Sequence, residues 1–500
     1  MSFSSVSFFV FMIAVFLIYW GIPHKFKYML LICANIAFYG SFGVKFIPVL
    51  LVEVIIAFVL AIAIENKKAE KKQTKLLICI GIILTVLPLL FFKYLNFAIY
   101  TVDKVLSKIT VPVNDHTLKI IAPIGISFYT FELLSYIIDV YSGKTKAEKN
   151  ILRLFVFASF FPNITSGPIE RANSFLKQLD MEKEFNYDRS VSGLRLVMLG
   201  MVKKICGADV LKQYADVVFS NVYGYRGPIF IIAIILYTFE IYLDFSGYTD
   251  MARGFARMLG FELTENFKSP YLSASVSEFW RRWHISLSQW LRDYIYIPLG
   301  GSRCSKIRKY INLMATFLVS GIWHGASFTF IVWGLLHGIY QCISDFVSNI
   351  VKNKANASKY NTDMQNNTQI RSDNSPLKWL KIAVTFVLVS YAWMFFRANS
   401  LTDAKYITMN MFSGDNFYGQ MLQMGFLNVA SYVGVILIIA ITIAYDIYNE
   451  KLSICGTNII EKFSQLKFIV RWAIYIILGV LIVVLRSHVG AGAEFIYFKF

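Results

Sequence analysis

Charge is scarce in this chain: 16% of its 500 residues are Asp, Glu, Lys or Arg, against 56% hydrophobic ones. An ordinary soluble globule carries about a quarter of its residues charged, so that class is excluded, and several apolar runs reach bilayer length. Ten-residue strands of alternating polar and apolar residues are absent, which disfavours an outer-membrane barrel. The six cysteines (Cys33, Cys79, Cys206, Cys304, Cys342 and Cys455) never form a C-x-x-C pair, so neither a disulfide framework nor a zinc knuckle is indicated. No two histidines stand at i, i+4 and H-E-x-x-H is missing, so metal chemistry finds no support. Internal repeats are also missing, which counts against an inverted-repeat transporter.

What remains is an all-α polytopic membrane protein, with 44 Phe and 29 Tyr supplying lipid-facing bulk and interfacial anchors. Candidate spans are 7–21, 28–44, 47–64, 76–98, 119–140, 151–166, 192–207, 227–246, 310–342, 378–396, 424–447 and 466–486, which gives about eleven or twelve crossings. The formal charge of +18 does not require nucleic acid as a partner, because Lys and Arg sit in short tracts between apolar segments, as the positive-inside rule expects. Three such tracts, 24–27, 67–75 and 144–149, fall on alternate connections. All three can be cytoplasmic if the N-terminus lies outside. The stretch 7–21 has no basic region before it and no small-residue cleavage site after it, so it reads as a retained helix. Residues 170–189 are mixed and polar, and suit the cytoplasmic surface. Residues 351–376, rich in Asn, Ser, Lys and Thr, read as a flexible loop between a membrane core, 1–350, and trailing helices, 377–500.

Two histidines beside tryptophans stand out: His284 in Trp280-Arg281-Arg282-Trp283-His284 and His324 in Trp323-His324-Gly325. A titratable group in an apolar run is costly unless it has a partner or a task. The apolar run 310–342 has 33 residues and as a straight helix would be about 50 Å long, against a hydrocarbon core of about 30 Å, so it must break, tilt or re-enter. Gly321 and Gly325 bracket His324 and mark the expected break. Counted from the basic stretch 303–309, His324 lies roughly 20 Å deeper along a helical path, near mid-membrane. Two readings stay open: a neutral imidazole acting as general base, or a buried histidine bonded to a backbone carbonyl. For His337, packing is favoured.

From Phe279 to Tyr294, Trp280, Trp283, Leu287, Trp290, Leu291 and Tyr294 recur at helical spacing, which predicts one basic amphipathic helix at an interface. His284 falls on its aromatic side. Arg281, Arg282 and Arg292, with Trp283 and Trp323 as neighbouring aromatics, are candidates to hold a polyphosphate donor at a cytoplasmic mouth, although positive-inside charge also accounts for each arginine. The acidic residues Glu132, Glu240, Asp244 and Asp250 fall where membrane is expected and need polar or basic partners, such as Arg253.

Taken together, Pro123-Ile124-Gly125-Ile126-Ser127-Phe128, Phe161-Pro162 through Ser166-Gly167-Pro168-Ile169, Asp244-Phe245-Ser246-Gly247-Tyr248 and the block from Phe279 to Gly301 resemble the membrane-bound O-acyltransferase superfamily. The resemblance covers nearly the whole chain, and is strongest to the bacterial branch that O-acetylates alginate, peptidoglycan and other surface polysaccharides. It implies a ring of helices around a central tunnel, with His324 as catalytic histidine and His284 as the second functional one. It also implies acetyl-CoA as donor substrate, no tightly bound cofactor, an extracytoplasmic SGNH-type esterase-like partner, an exported polysaccharide as acceptor and the bacterial cytoplasmic membrane as location. The ending Phe495-Ile496-Tyr497-Phe498-Lys499-Phe500 resembles the hexapeptide of this branch, whose tyrosine is proposed to carry the acyl group; Tyr497 is the corresponding candidate, and Lys499 stands where the usual ending has Gln. Two alternatives are D-alanyl transfer to teichoic acids within the same superfamily, and a flippase for a polymer precursor.

Overall fold

The structure, a computed structural model, describes residues 1–107, 118, 120–359, 376–414, 416–489 and 495–496. Its regular elements, among the described residues, are all helical. Seven helices are long and apolar enough to cross a membrane: Val44–Asn66, Lys71–Leu106, Ile229–Met258, Phe328–Ile350, Pro376–Arg397, Val429–Ile454 and Phe468–Ser487. Val6–Gly21 is a shorter apolar helix. Phe468–Ser487 turns Ile469, Ile476, Ile477 and Val483 outward, an arrangement that water would penalise and acyl chains do not. The chain is therefore a multi-pass membrane protein.

Several expected spans are shorter or broken. The stretch 119–140 becomes helical only from Ile126, after Gly125 adopts a left-handed φ of 78°. The stretch 151–166 is helical only to Ser159; Pro162, which cannot continue a helix ladder, stands three residues on, and the chain continues in turns. The run 310–342 is two helices, Lys306–His324 and Phe328–Lys359. The second continues through 359, so the polar stretch expected to be a loop from 351 starts as helix; residues 360–375 lie outside the described residues.

The contacts divide the chain into two compact units. One comprises residues 1–209, 242–265 and 463–500. Its centre is aromatic: Phe3 stacks on Tyr248 at 4.5 Å, and Phe8 meets Phe255 edge-on at 4.9 Å. The helix Tyr187–Met201 lies backbone to backbone on the later part of Ile229–Met258, because a Cβ on Gly200 would fall 2.4 Å from the Gly247 carbonyl oxygen, and one on Gly254 2.6 Å from that of Gly193. Close approach through small residues is how helices gain contact where lipid removes the hydrophobic drive.

The buried acids of this unit are paired, though not chiefly with Arg253. Glu132 accepts from Asn163 Nδ2 at 2.7 Å and from the Glu170 amide at 2.9 Å. Asp250 pairs with Lys203 at 2.7 Å and only more distantly with Arg253, at 3.6 Å. Asp244 takes Lys204 at 2.6 Å, and the same ammonium reaches Asp209 at 2.8 Å. The turn of π-helix over Val202–Ala208 carries both lysines.

The second unit comprises residues 210–241 and 266–462. Its principal feature is the hairpin of Lys306–His324 and Phe328–Lys359, which is tight enough that a Cβ on Gly321 would fall 2.4 Å from the Phe330 carbonyl oxygen and one on Gly334 2.4 Å from that of Phe317. His284, His324 and His337 all belong to this unit.

Candidate functional site

The predicted continuous helix over 279–294 is interrupted at its histidine. Ser275 caps the helix Val276–Arg282 by accepting from the Glu278 amide at 3.2 Å, and Glu278 reaches back to the Ala274 amide at 2.9 Å, a capping box. The helix stops at Arg282. His284 takes a left-handed conformation, φ 42° and ψ 56°, and a new helix, Ile285–Leu291, starts beyond it. Asn266 receives that start: its carbonyl oxygen accepts from the Ile285 amide at 3.1 Å, and its Oδ1 from the Ser286 amide at 3.1 Å. A left-handed non-glycine residue costs about 1–2 kcal/mol, so neighbouring contacts must hold it there. The turn pivots the imidazole inward to complete burial. Burial alone pushes it below the ordinary histidine range, to about 3, so His284 is neutral as it stands.

His324 is the last residue of its helix, and Gly325 follows in extended conformation, φ −179°. Glycine is needed there for space rather than for conformation, because a Cβ would sit 2.3 Å from the Phe330 ring. The expected break is thus real, and its glycines serve the close packing of the hairpin. The His324 ring meets Trp323 and Trp333 edge-on, each at 4.9 Å, and Phe396 at 5.1 Å.

Trp323 also lies 5.9 Å from His284. Trp333 in turn lies 4.9 Å from His337, whose Nδ1 accepts from Trp280 Nε1 at 3.2 Å. Three imidazoles are therefore linked in the order His284, Trp323, His324, Trp333, His337, although they come from three helical segments. His337 has the hydrogen bond and aromatic walls of a packing residue. Such a site is walled by aromatic rings and supplied with imidazole nitrogens, which suits removal of a proton from a hydroxyl during acyl transfer.

The candidate donor residues are spread more widely. Trp283 is buried between Trp393, at 4.9 Å, and Phe267, also at 4.9 Å. Arg282 lies 2.6 Å from Glu278 and 3.3 Å from Glu450, so two carboxylates hold its guanidinium. Arg292 is exposed beside Asp293 at 2.8 Å. Arg281 is exposed. Trp323 meets both histidines, His284 at 5.9 Å and His324 edge-on at 4.9 Å.

Tyr497 lies outside the described residues, but the two residues before it are described, within the first unit. The Ile496 amide donates to Asp244 Oδ2 at 2.9 Å, and Phe495 stacks on Tyr248 at 4.2 Å. Sequence reasoning missed this docking. Asn266 was also missed; one asparagine in a loop carries no signal that it caps a helix 19 positions later.

The family model described as membrane-bound O-acyltransferase matches residues 147–369. The chain is 37% identical over 414 residues to a probable alginate O-acetylase of Pseudomonas aeruginosa, covering 83% of this chain and 75% of that protein. It is 31% identical over 407 residues to a peptidoglycan O-acetyltransferase of Helicobacter pylori, covering 76% of this chain and 73% of that protein. It is 30% identical over 239 residues to a teichoic acid D-alanyltransferase of Bacillus subtilis, covering 46% of this chain and 60% of that protein.

Proposed function

The chain belongs to the membrane-bound O-acyltransferase family, and from that premise we propose that it moves acetyl from cytoplasmic acetyl-CoA across the bacterial cytoplasmic membrane towards an exported polysaccharide. That it is a membrane O-acyltransferase follows from membership itself, which removes the flippase reading. The observation that carries the finer proposal is His324, a buried imidazole at a helix end, walled by Trp323 and Trp333 with His284 against Trp323.

In this proposal His324 accepts the proton of an attacking hydroxyl. The hydroxyl oxygen bonds to the thioester carbonyl carbon, the C–S bond breaks, and the proton passes to the departing thiolate, so that an ester and a thiol result. Tyr497 is the proposed first acceptor, since a phenol loses its proton more readily than an alkyl alcohol. An extracytoplasmic SGNH-type partner then takes the acetyl and esterifies a sugar hydroxyl. Arg281, Arg282 and Arg292 are proposed to face the donor's phosphates, with Trp283 and Trp323 beside them. Their chemistry supports the role for Arg281 best, because carboxylates already hold Arg282 and Arg292.

Purified protein given acetyl-CoA labelled in the acetyl group should become ester-labelled at Tyr497, or label its partner, and His324→Ala should lose the reaction by about 10²–10⁴-fold. Undiminished transfer by His324→Ala would remove the assigned base. The D-alanyl reading is favoured by the similarity to the Bacillus subtilis enzyme, over a smaller part of the chain. A D-alanyl-loaded carrier protein offered in competition with acetyl-CoA separates the two.

A further inference from the structure

Away from the histidines, three cations converge where the helix Val6–Gly21 turns into His24–Gly40. Lys27 and Lys183 are both 8% exposed, and Arg189 is half-buried. Their hydrogen bonds go to backbone carbonyls: Lys27 Nζ donates to the Lys183 oxygen at 2.7 Å, Lys183 Nζ to that of Gln178, and an Arg189 Nη to that of Glu184 at 2.8 Å. Among the described residues no carboxylate lies within ion-pair distance of any of the three, whereas the buried lysine of the same unit, Lys204, has two. Glu182, Glu184 and Asp180 act on the lysines only from a distance.

Aromatic faces hold the cations in place. Lys27 Nζ stands 4.4 Å from the Trp20 ring centre, Lys183 Nζ stands 4.1 Å from that of Phe261, and the Arg189 guanidinium is 5.8 Å from Trp20. Gly260, at φ 84°, lets two of these chains lie together, because a Cβ would fall 3.0 Å from Lys183 and 3.2 Å from Arg189. A cavity of about 40 Å³ opens beside Lys27 and Lys183, with His24 and Tyr28 also in its lining and Leu31 and Phe261 among its apolar walls. One water needs about 10–15 Å³ on this measure. The buried hydroxyl of Tyr28 and the Nε of Arg189 have no hydrogen-bond partner. Repulsion from Arg189 and Lys27 adds to burial in pushing the Lys183 ammonium down to about 8.

Like charges driven together in a half-dry site cost free energy unless a counter-charge joins them. We propose that this cavity binds a phosphate group, with Lys27 and Lys183 as its cationic donors, Tyr28 and His24 in its lining and Arg189 adding positive charge beside it. Charge asymmetry assigns the His24–Lys27 connection to the cytoplasmic side. There a phosphate is available either as an anionic phospholipid headgroup or as a soluble phosphate ester. The proposal does not depend on the acyl-transfer reading.

The test is native mass spectrometry and thermal unfolding of the detergent-purified full chain, titrated separately with short-chain phosphatidylglycerol, short-chain phosphatidylcholine and inorganic phosphate. Phosphatidylglycerol retained in preference to phosphatidylcholine identifies the lipid source, and stabilisation by inorganic phosphate alone identifies the soluble one. In either case Lys27→Gln with Lys183→Gln should weaken binding by about tenfold or more, since two charge-assisted hydrogen bonds are lost. Lys183→Arg, which keeps the charge, should retain most of it and controls for folding. Equal response of the wild type and the double variant to every probe, or no response of the wild type to any, overturns the proposal.

Discussion

The backbone amide of Ile496 donates to Asp244 Oδ2 at 2.9 Å, so this residue is tied to a buried carboxylate 252 positions earlier. The other oxygen of Asp244 holds Lys204 at 2.6 Å. Asp244→Ala should release the tail at Phe495 and Ile496 and open these two residues to carboxypeptidase, at a docking loss of about 1–3 kcal/mol. Asp244→Asn keeps an oxygen acceptor and should leave the tail largely protected. Equal digestion of wild type and Asp244→Ala would show that the bond does not hold the tail.

His284 has two separable properties, its left-handed backbone and its ring. Asparagine tolerates that conformation better than most residues, so His284→Asn should keep the thermal midpoint close to wild type while transfer falls. A β-branched replacement, His284→Val, should lose stability by about 1–3 kcal/mol as well. Unfolding in detergent, measured beside turnover, separates the two effects.

The hairpin that presents His324 depends on contact between backbones. Gly321→Ala and Gly334→Ala each place a methyl group 2.4 Å from a carbonyl oxygen, and should lower stability by about 1–3 kcal/mol or more. Gly479, with nothing within 4 Å of an added Cβ, is the matched control: Gly479→Ala should be neutral or slightly stabilising. Unchanged midpoints in the Gly321 and Gly334 variants would refute the close packing.

Arg282 and Arg281 are neighbours with different expected phenotypes. Arg282→Ala leaves Glu278 and Glu450 without their shared cation; both are partly solvated, so the expected loss is about 1 kcal/mol rather than that of a fully buried pair. Arg281→Ala should change stability by less than about 0.5 kcal/mol and instead raise the KM for the donor. If the KM of Arg281→Ala equals that of the wild type, the guanidinium does not touch the donor.

The membrane class and the break after His324 were legible because they rest on apolar run length and on the glycines that bracket His324. The break at Trp283 and His284 was not. Periodicity runs unbroken from Phe279 to Tyr294, and the contact that ends the helix comes from Asn266, outside any local window. The lysine partners of Asp244 and Asp250 escaped notice for a related reason. Arg253 stands one helical turn from Asp250, whereas Lys203 and Lys204 arrive on another helix segment. Gly321 and Gly325 were read as the mark of a break, yet both are also places where Phe330 packs close against the chain. A glycine marks a close approach without saying what approaches.

The indoles that separate the imidazoles bear on where protons go. An indole nitrogen donates a hydrogen bond and has no lone pair with which to accept one, so Trp323 and Trp333 cannot themselves relay protons between the imidazoles they touch. Under the proposed chemistry a proton taken up by His324 then leaves on the sulfur that departs. The hydroxyl that finally gives up a proton lies outside and the thiol that gains one lies inside, so each acetyl passed outward would be matched by one proton passed inward, an exchange without net movement of charge that answers to the pH difference across the membrane.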